Sequence, residues 1–185
     1  VAELVMASSI MLIRKIPDKN KSAHEGIWLK DSTGSHELRG KTLGIVGYGN
    51  IGSQVSVLAE SFGMKVIFYD AETKMPLGNA ESKKSLKELL KLADIVTLHV
   101  PDLSSTRNLI NKNNLPFFKK DAILINYARG GVVDLEALRN ALKNNELGGA
   151  AIDVYPEEPV KNGDRFFTPL QGLSNVILTP HIGGS

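Results

Sequence analysis

The sequence predicts an α/β fold in which a doubly wound parallel sheet carries helices on both faces. Three observations predict it. Short apolar runs alternate along the chain with segments of helical period, as in successive βαβ units. Several of the runs are continuously apolar, which is typical of strands buried between two layers of helices. The first run leads into a glycine-rich turn and then a helix, an order that opens many sheets of this kind.

Residues 2–16 have a helical pattern with apolar side chains pointing nearly all round, and Pro17 is predicted to end this helix. A helix of this kind must be buried, either in the core of its own domain or against another subunit or domain. Residues 18–40 are polar, and we expect them to be irregular. Trp28 in this segment is interpreted either as a core anchor or as an interface residue.

From Thr42 onward, apolar runs and helical segments alternate without an internal repeat. The predicted strands cover residues 42–47, 65–69, 95–100, 122–127, 150–154 and 175–178. The predicted helices lie between them, at residues 50–62, 85–92, 111–117 and 134–144.

Composition limits the possible functions. A length of 185 residues suffices for one well-packed domain. The net charge of +2 does not indicate the basic surface that is typical of nucleic-acid binding. The absence of cysteine excludes disulfides and cysteine metal sites, and we predict no metal. Residues 4–13, the longest apolar stretch, are too few to span a bilayer, so we expect no membrane partner. The expected location is cytoplasmic, with which the absence of cysteine is compatible. Because the sequence starts at Val1 and stops at Ser185, we expect one domain of a longer protein.

The glycine-rich turn has the sequence Gly-Tyr-Gly-Asn-Ile-Gly, between a predicted strand and a predicted helix. That context distinguishes a dinucleotide-binding fingerprint from an ordinary glycine-rich loop. The first glycine allows a tight turn, the second lets the backbone approach the pyrophosphate, and the third lets the helix pack closely on the strand. The start of the helix offers free N–H groups to the phosphates. The predicted dinucleotide-binding residues are Gly47, Tyr48, Gly49, Asn50, Ile51 and Gly52.

Asp70 ends the second predicted strand, close to the spacing from Gly52 that is expected of a carboxylate that binds the adenosine ribose. A carboxylate at this position accepts hydrogen bonds from two hydroxyls and repels a 2′-phosphate, which favours NAD over NADP. Lys74 lies near enough in sequence to leave NADP open. The alternative for Asp70 is a strand-end aspartate that caps a turn.

Three polar segments follow the later strands, at residues 126–131, 153–159 and 179–184. The carboxyl ends of strands are where open α/β sheets bind their ligands. These segments bring an arginine (Arg129), a carboxylate (Glu157 or Glu158) and a histidine (His181) to one edge. Oxidation of an alcohol by hydride loss needs such a set: a histidine base, a carboxylate that orients it, and an arginine that clamps a substrate carboxylate.

Each of these residues also has a purely structural interpretation. Arg129 could form a surface salt bridge, the two glutamates could be solvated, and His181 could be satisfied by the backbone. His99, at the end of the third predicted strand, is interpreted as part of a cofactor pocket rather than as a base.

Residues 37–52, 98–101, 126–130, 151–154 and 179–184 resemble the D-isomer-specific 2-hydroxyacid dehydrogenase family, and the resemblance covers essentially the whole chain. It implies a Rossmann-type domain that binds NAD. It also implies that Arg129 binds and polarises the substrate, that His181 is the acid/base, and that Glu158, which directly precedes Pro159, is its carboxylate partner. Asp153 is implied to contact the nicotinamide carboxamide. The implied cofactor-lining residues are His99, Val100, Pro101, Tyr127, Ala128, Arg129, His181, Gly183 and Gly184; Tyr127 stands where the family more often has a small residue or cysteine.

The resemblance further implies a substrate lobe outside this sequence, with residues 1–17 as a hinge and interface helix, residues 18–40 as a lead-in and residues 41–185 as the cofactor-binding core. Homodimers through the cofactor domain, or homotetramers of the full-length protein, are expected. Residues 68–70 and 75–80 resemble a subgroup that oxidises 3-phosphoglycerate to 3-phosphohydroxypyruvate in serine biosynthesis. The alternatives are lactate, glycerate or glyoxylate as substrate, or an NAD-sensing corepressor-like module. We expect this chain alone to bind NAD and to turn over little substrate.

Overall fold

A seven-stranded parallel sheet forms the centre of the fold, in a computed structural model that describes residues 1–184. The strands are β1 (Thr42–Val46), β2 (Lys65–Tyr69), β3 (Glu81–Ser82), β4 (Ile95–Leu98), β5 (Ile123–Asn126), β6 (Gly149–Ile152) and β7 (Val176–Leu178). Their order across the sheet is β3-β2-β1-β4-β5-β6-β7, and all neighbouring pairs are parallel. Because all the strands are parallel, their carboxyl ends lie at one edge of the sheet, and the strand order reverses between β1 and β4.

Five α-helices accompany the sheet in the described part of the chain: α1 (Ala2–Ile13), α2 (Ile16–His24), α3 (Asn50–Ser61), α4 (Leu86–Leu92) and α5 (Leu135–Lys143). Side-chain caps start two of them. The Ser85 hydroxyl accepts the N–H of Glu88 at 3.2 Å, and Asp134 accepts the N–H of Ala137 at 3.0 Å. These bonds satisfy N–H groups that have no partner within the helix, so both helices begin where a capping residue stands.

Two hydrophobic clusters, one on each face of the sheet, confirm the predicted doubly wound arrangement. One cluster contains buried residues of α4 and α5, and the other contains buried residues of α1 and α3. Successive strand residues divide between them, so that Val46 joins the first cluster and Ile45 the second. This alternation follows from the two-residue repeat of a strand, and it explains why the strands are apolar at nearly every position.

Helix α1 belongs to the core of this domain. It packs against α3 and β5, with Val5 and Ser9 fully buried. It thereby covers a part of the sheet that no crossover helix reaches on that face. Ala2, Met6 and Ile13 are buried as well, whereas Leu4 and Met11 are only partly buried. Trp28 is 88% exposed and is therefore not a core anchor.

Several predicted boundaries are wrong. The first helix ends at Ile13 instead of continuing to Ile16, and Pro17 lies in the first turn of α2, where its missing N–H costs nothing. Residues 18–24 are therefore helical rather than irregular.

The helix predicted at residues 111–117 is also wrong, because only the 3₁₀ turn Leu115–Phe117 forms there. The side chains of Asn111 and Asn114 accept backbone N–H groups at 2.8 and 3.0 Å, in competition with helix formation. Strand β3 was not predicted. Among residues 1–184, no helix is both long enough and apolar enough to cross a membrane.

Candidate functional site

The glycine turn between β1 and α3 has the geometry of a dinucleotide cradle. A β-carbon on Gly47, whose φ is +92°, would lie 2.4 Å from the carbonyl oxygen of His99. A β-carbon on Gly52 would lie 2.2 Å from the carbonyl oxygen of Gly47. In contrast, a β-carbon on Gly49 would meet no atom within 4 Å. The first and third glycines therefore permit close backbone contacts, whereas the second borders open space where a pyrophosphate fits.

Helix α3 begins at Asn50, directly after this open space. The first bond of the helix runs from the N–H of Ser53 to the carbonyl of Gly49 at 3.0 Å. The N–H groups of the preceding residues of the first turn have no partner within the helix, and the positive end of the helix dipole lies beside them. Asn50 and Ile51 are both exposed, so this helix start is accessible to an anion.

Asp70 holds the glycine turn and lies at the predicted ribose position. Its carboxylate accepts the N–H of Tyr48 at 2.7 Å and that of Glu72 at 2.9 Å. It therefore caps a turn, and its remaining lone pairs can still accept ribose hydroxyls. The ammonium of Lys74 is paired with Glu72 at 2.6 Å, and this hydrogen bond raises the pKa of Lys74.

The side chain of Tyr48 lies in the core rather than in the cofactor cradle. Its ring stacks on Phe68 with centroids 3.9 Å apart, and its hydroxyl is 2.7 Å from the hydroxyl of Ser56. Only the backbone of Tyr48 takes part in the turn.

A cleft of about 250 Å³ lies next to the glycine turn, at the carboxyl ends of β4, β5 and β6. It brings together most of the residues that the sequence predicted for the nicotinamide end of a cofactor. Its lining consists of Val1, Ile51, His99, Val100, Pro101, Tyr127, Ala128, Arg129, Asp153, His181 and Gly184.

His99 is a partly buried, neutral imidazole in the wall of this cleft. Its Nε2 is 2.9 Å from the hydroxyl of Thr97, whereas its Nδ1 is buried without a partner. Burial, together with the positive charge at Val1, lowers the pKa of His99 to about 4. A histidine that resists protonation in this way is unsuited to act as a base near pH 7.

His181 and Glu158 form a hydrogen-bonded pair, with Nδ1 of His181 2.7 Å from a carboxylate oxygen of Glu158. The other oxygen of Glu158 accepts the N–H of Tyr155 at 3.0 Å. Burial raises the pKa of Glu158, but these two hydrogen bonds and the charges of His181 and Arg129 outweigh it, so the pKa is lowered overall. Because Nδ1 of His181 faces Glu158, Nε2 is the ring nitrogen available to a substrate.

Arg129 follows β5 in a turn that Asn126 holds in place. The buried amide of Asn126 donates to the carbonyl of Arg129 at 3.0 Å and accepts the N–H of Ala128 at 3.2 Å. A β-carbon on Gly130 would lie 2.0 Å from the carbonyl carbon of Tyr155, so the turn touches the segment that carries Glu158. The sequence prediction did not assign a role to Asn126; an amide at the end of an apolar strand is the signal that could have indicated one.

Asp153 is buried and fixes the loop of His181. One carboxylate oxygen accepts the hydroxyl of Thr179 at 2.6 Å and the N–H of Ile182 at 2.9 Å. The other accepts the N–H of Gly183 at 2.7 Å. The nicotinamide contact predicted for Asp153 stays a prediction, whereas its contact with this loop is evident in the structure.

Comparison with known proteins gives a consistent result. The family model for the D-isomer specific 2-hydroxyacid dehydrogenase NAD binding domain matches residues 6–183. The D-3-phosphoglycerate dehydrogenases of Haemophilus influenzae and Escherichia coli K12 are 57% and 52% identical over all 185 residues. The chain spans 45% of the length of each of these two relatives.

A solved structure with the same fold is the D-lactate dehydrogenase with NAD+ from Lactobacillus jensenii. It is 34% identical with a TM-score of 0.87, and the match covers 97% of this chain and 57% of that chain. The matches cover the glycine turn and the cleft residues up to Asp153 and His181. The chain therefore belongs to the D-isomer-specific 2-hydroxyacid dehydrogenase family, as its NAD-binding domain.

Proposed function

We propose that this chain is the NAD-binding domain of a D-3-phosphoglycerate dehydrogenase, which oxidises 3-phosphoglycerate to 3-phosphohydroxypyruvate in serine biosynthesis. The observation that carries the proposal is the 2.7 Å contact between His181 and Glu158 at the cleft that Arg129 also lines. The names of the most similar relatives support the choice of substrate.

Three side chains divide the chemistry. When NAD is bound, its nicotinamide supplies the hydride acceptor for C2 of the hydroxy acid. Nε2 of His181 takes the proton of the substrate hydroxyl, and Glu158 stabilises the imidazolium that results. Arg129 holds the substrate carboxylate through two parallel hydrogen bonds and polarises the carbonyl in the reverse reaction.

The residues that would hold NAD lie along the carboxyl edge of the sheet, in the order in which they would contact the parts of the cofactor. The glycine turn and the start of α3 bind the pyrophosphate, and Asp70 binds the adenosine ribose. The empty space beside Gly49 supports this placement, because a β-carbon there would occupy the approach to the backbone. The nicotinamide end is assigned to the cleft residues His99, Val100, Pro101, Tyr127, Ala128, Asp153 and Gly184, and to Gly183, which precedes Gly184 in the chain.

We also propose that residues 1–185 are one domain of a longer, cytoplasmic subunit that forms homodimers through this domain. The share of the relatives that the chain covers supports the first part. The partly buried apolar residues of α1, such as Leu4 and Met11, support an interface on that helix.

Two measurements test the proposed function. The 185-residue chain should quench or shift NADH fluorescence on binding, with little hydride transfer of its own. The full-length protein should oxidise 3-phosphoglycerate in preference to D-lactate and D-glycerate, and its reverse reaction should prefer 3-phosphohydroxypyruvate over glyoxylate. Absence of NADH binding would contradict the cofactor assignment, and a preference for lactate would contradict the substrate assignment alone.

A substitution at Gly49 tests the cradle without disturbing the fold. Because a β-carbon at this position meets no protein atom, Gly49→Ala should change the free energy of unfolding by only about 1 kcal/mol or less. The same methyl group stands where the pyrophosphate approaches, so NADH affinity should fall by roughly tenfold or more. Unchanged affinity would place the cofactor elsewhere.

A further inference from the structure

Tyr155, shortly after the end of β6, lies between the residues that carry the proposed chemistry. Tyr155 is 7% exposed, whereas the side chains of Glu158 and His181 are 34% and 49% exposed. Exposed side chains on loops keep a fixed geometry only where buried neighbours anchor them. Tyr155 contacts both loops. Its backbone also touches the turn of Arg129, because a β-carbon on Gly130 would lie 2.0 Å from the carbonyl carbon of Tyr155.

The backbone of Tyr155 fixes the carboxylate of Glu158. The N–H of Tyr155 donates to Oε1 of Glu158 at 3.0 Å, and Oε2 of the same carboxylate is 2.7 Å from Nδ1 of His181. Because the two contacts use different oxygens, the carboxylate cannot rotate without losing one of them. The orientation of Glu158 toward the imidazole therefore depends on the position of the Tyr155 backbone.

The hydroxyl of Tyr155 bridges the carboxyl ends of β6 and β7. It lies 3.0 Å from the carbonyl oxygen of Ile152 and 3.0 Å from that of Thr179. The two acceptors do not depend equally on its single proton. The carbonyl of Ile152 already accepts the N–H of Thr179 at 3.0 Å, whereas the carbonyl of Thr179 has no other donor among residues 1–184. Burial, together with the charge of Asp153, raises the pKa of Tyr155, so the hydroxyl keeps its proton at neutral pH.

Thr179 begins the short loop that carries His181. His181 has a φ of +55°, in the left-handed region that side chains other than glycine disfavour. Such a conformation persists only where its surroundings hold it. Before His181, the hydroxyl of Tyr155 holds the carbonyl of Thr179, and after it the carboxylate of Asp153 holds two backbone N–H groups. The loop is therefore fixed on both sides of the imidazole.

An aromatic contact holds the ring of Tyr155 in turn. The ring of Phe166 meets it edge to face, with centroids 4.5 Å apart and planes at 64°. Phe166 packs against the hydrophobic cluster that contains residues of α4 and α5. The hydroxyl of Tyr155 therefore has a fixed position relative to the core of the domain.

We propose that Tyr155 is a positioning residue that sets the geometry of the Glu158–His181 pair, through its N–H to Glu158 and its hydroxyl to the carbonyl of Thr179. This inference rests on the proposed function, because it assumes that His181 exchanges the substrate proton. Phenylalanine in place of Tyr155 would keep the N–H and the ring but lose the bond to the His181 loop. The contribution of the hydroxyl can therefore be measured by itself.

Kinetics of the full-length protein provide the first test. In Tyr155→Phe we expect kcat to fall about five- to tenfold, as for one buried hydrogen bond, while KM for NAD changes less than about twofold. Ile95→Val is the matched control, because it removes one methyl group from the fully buried start of β4, at the opposite edge of the sheet. Both variants should lower the melting temperature of the 185-residue chain by roughly 2–4 °C, but Ile95→Val should leave kcat unchanged.

A double-mutant cycle tests whether the hydroxyl acts through the pair. Glu158→Ala removes the carboxylate that both Tyr155 and His181 contact. If Tyr155 acts through this pair, adding Tyr155→Phe to Glu158→Ala should lower kcat by less than about twofold. If the added substitution lowers kcat as much as it does in the parent protein, the two effects are independent and the proposal is wrong.

The next measurement uses the 185-residue chain and does not depend on turnover. The carboxyl carbon of Glu158 is followed by NMR as the pH is lowered. Burial raises the pKa of Glu158, but hydrogen bonds from His181 and Tyr155 help to lower it overall. In Tyr155→Phe the loosened loop should weaken the bond from His181, so the pKa of Glu158 should rise toward its ordinary value. Ile95→Val should leave the titration of Glu158 unchanged.

These results separate positioning from packing. If Tyr155 only fills space, Tyr155→Phe behaves like Ile95→Val, with a lower melting temperature but the kcat and Glu158 titration of the parent, and the proposal is wrong. If Tyr155→Phe does not fold, Phe166→Leu decides, because it loosens the ring of Tyr155 and keeps the hydroxyl. It should move kcat and the titration in the same directions by less, and no change in either would overturn the proposal. If the protein lacks dehydrogenase activity but the titration shifts as expected, the link is present and only the proposed function fails.

Discussion

Acidification should destabilise the fold through one partly buried histidine, His99. Its Nδ1 is buried without a partner, and burial lowers its pKa from 6.5 to about 4. The unfolded chain therefore takes up a proton near pH 6.5, whereas the folded chain resists it until about pH 4. Stability from the neutral imidazole is fully present above pH 6.5 and is lost as the pH falls toward 4. At about 1.36 kcal/mol per pKa unit, the loss reaches about 3 kcal/mol.

Denaturant titrations of the parent chain and His99→Asn between pH 7 and pH 4 test this magnitude. Asparagine cannot titrate, and it loses the contact of Nε2 with Thr97 equally at every pH. The parent should lose about 3 kcal/mol more than the variant, because all other titrating groups are common to both and cancel. His36→Asn, at an exposed histidine, should show the parent's pH dependence. Parallel curves for the parent and His99→Asn would refute the reasoning that burial keeps this imidazole neutral.

Three further predictions follow from the site. Gly52→Ala should lower the free energy of unfolding by roughly 2–3 kcal/mol, because its β-carbon would meet a backbone oxygen at 2.2 Å; an unchanged denaturation midpoint would argue against the close packing. Asp70→Ala should weaken NADH binding by roughly tenfold and reduce the ratio of the affinities for NADH and NADPH. Fluorescence titration with both cofactors measures this ratio. The Glu158–His181 pair should stabilise the fold above the ordinary pKa of Glu158, 4.5, and lose that effect as the pH falls through the lowered value. Glu158→Gln should remove this dependence in denaturation curves, and an unaltered curve would contradict it.

Most of the sheet and the cofactor cradle could be predicted because both are encoded locally. An apolar run specifies a buried strand, and the glycines at 47, 49 and 52 form a pattern within six consecutive residues, although the contact that Gly47 makes is with His99 of a different strand end. The errors came where side chains compete with the backbone or where a proline has two possible roles. The helix expected at residues 111–117 does not form, because asparagine side chains accept its backbone N–H groups. Pro17 lies in the first turn of a helix rather than ending one.

The sequence by itself determined the fold class, the dinucleotide turn and the set of candidate residues, since each depends on neighbours within a few positions. Only the tertiary structure decided how that set is connected. The residues alone left Glu157 and Glu158 open as partners of His181, and the structure selects Glu158, the partner that the family resemblance implies, across 23 residues. It also directs the carboxylate of Asp153 to the loop 30 residues away. It also places α1 over the sheet, where Ser8 meets Tyr127 across 119 residues. These contacts depend on the strand order and on which face each helix covers, so no local pattern specifies them.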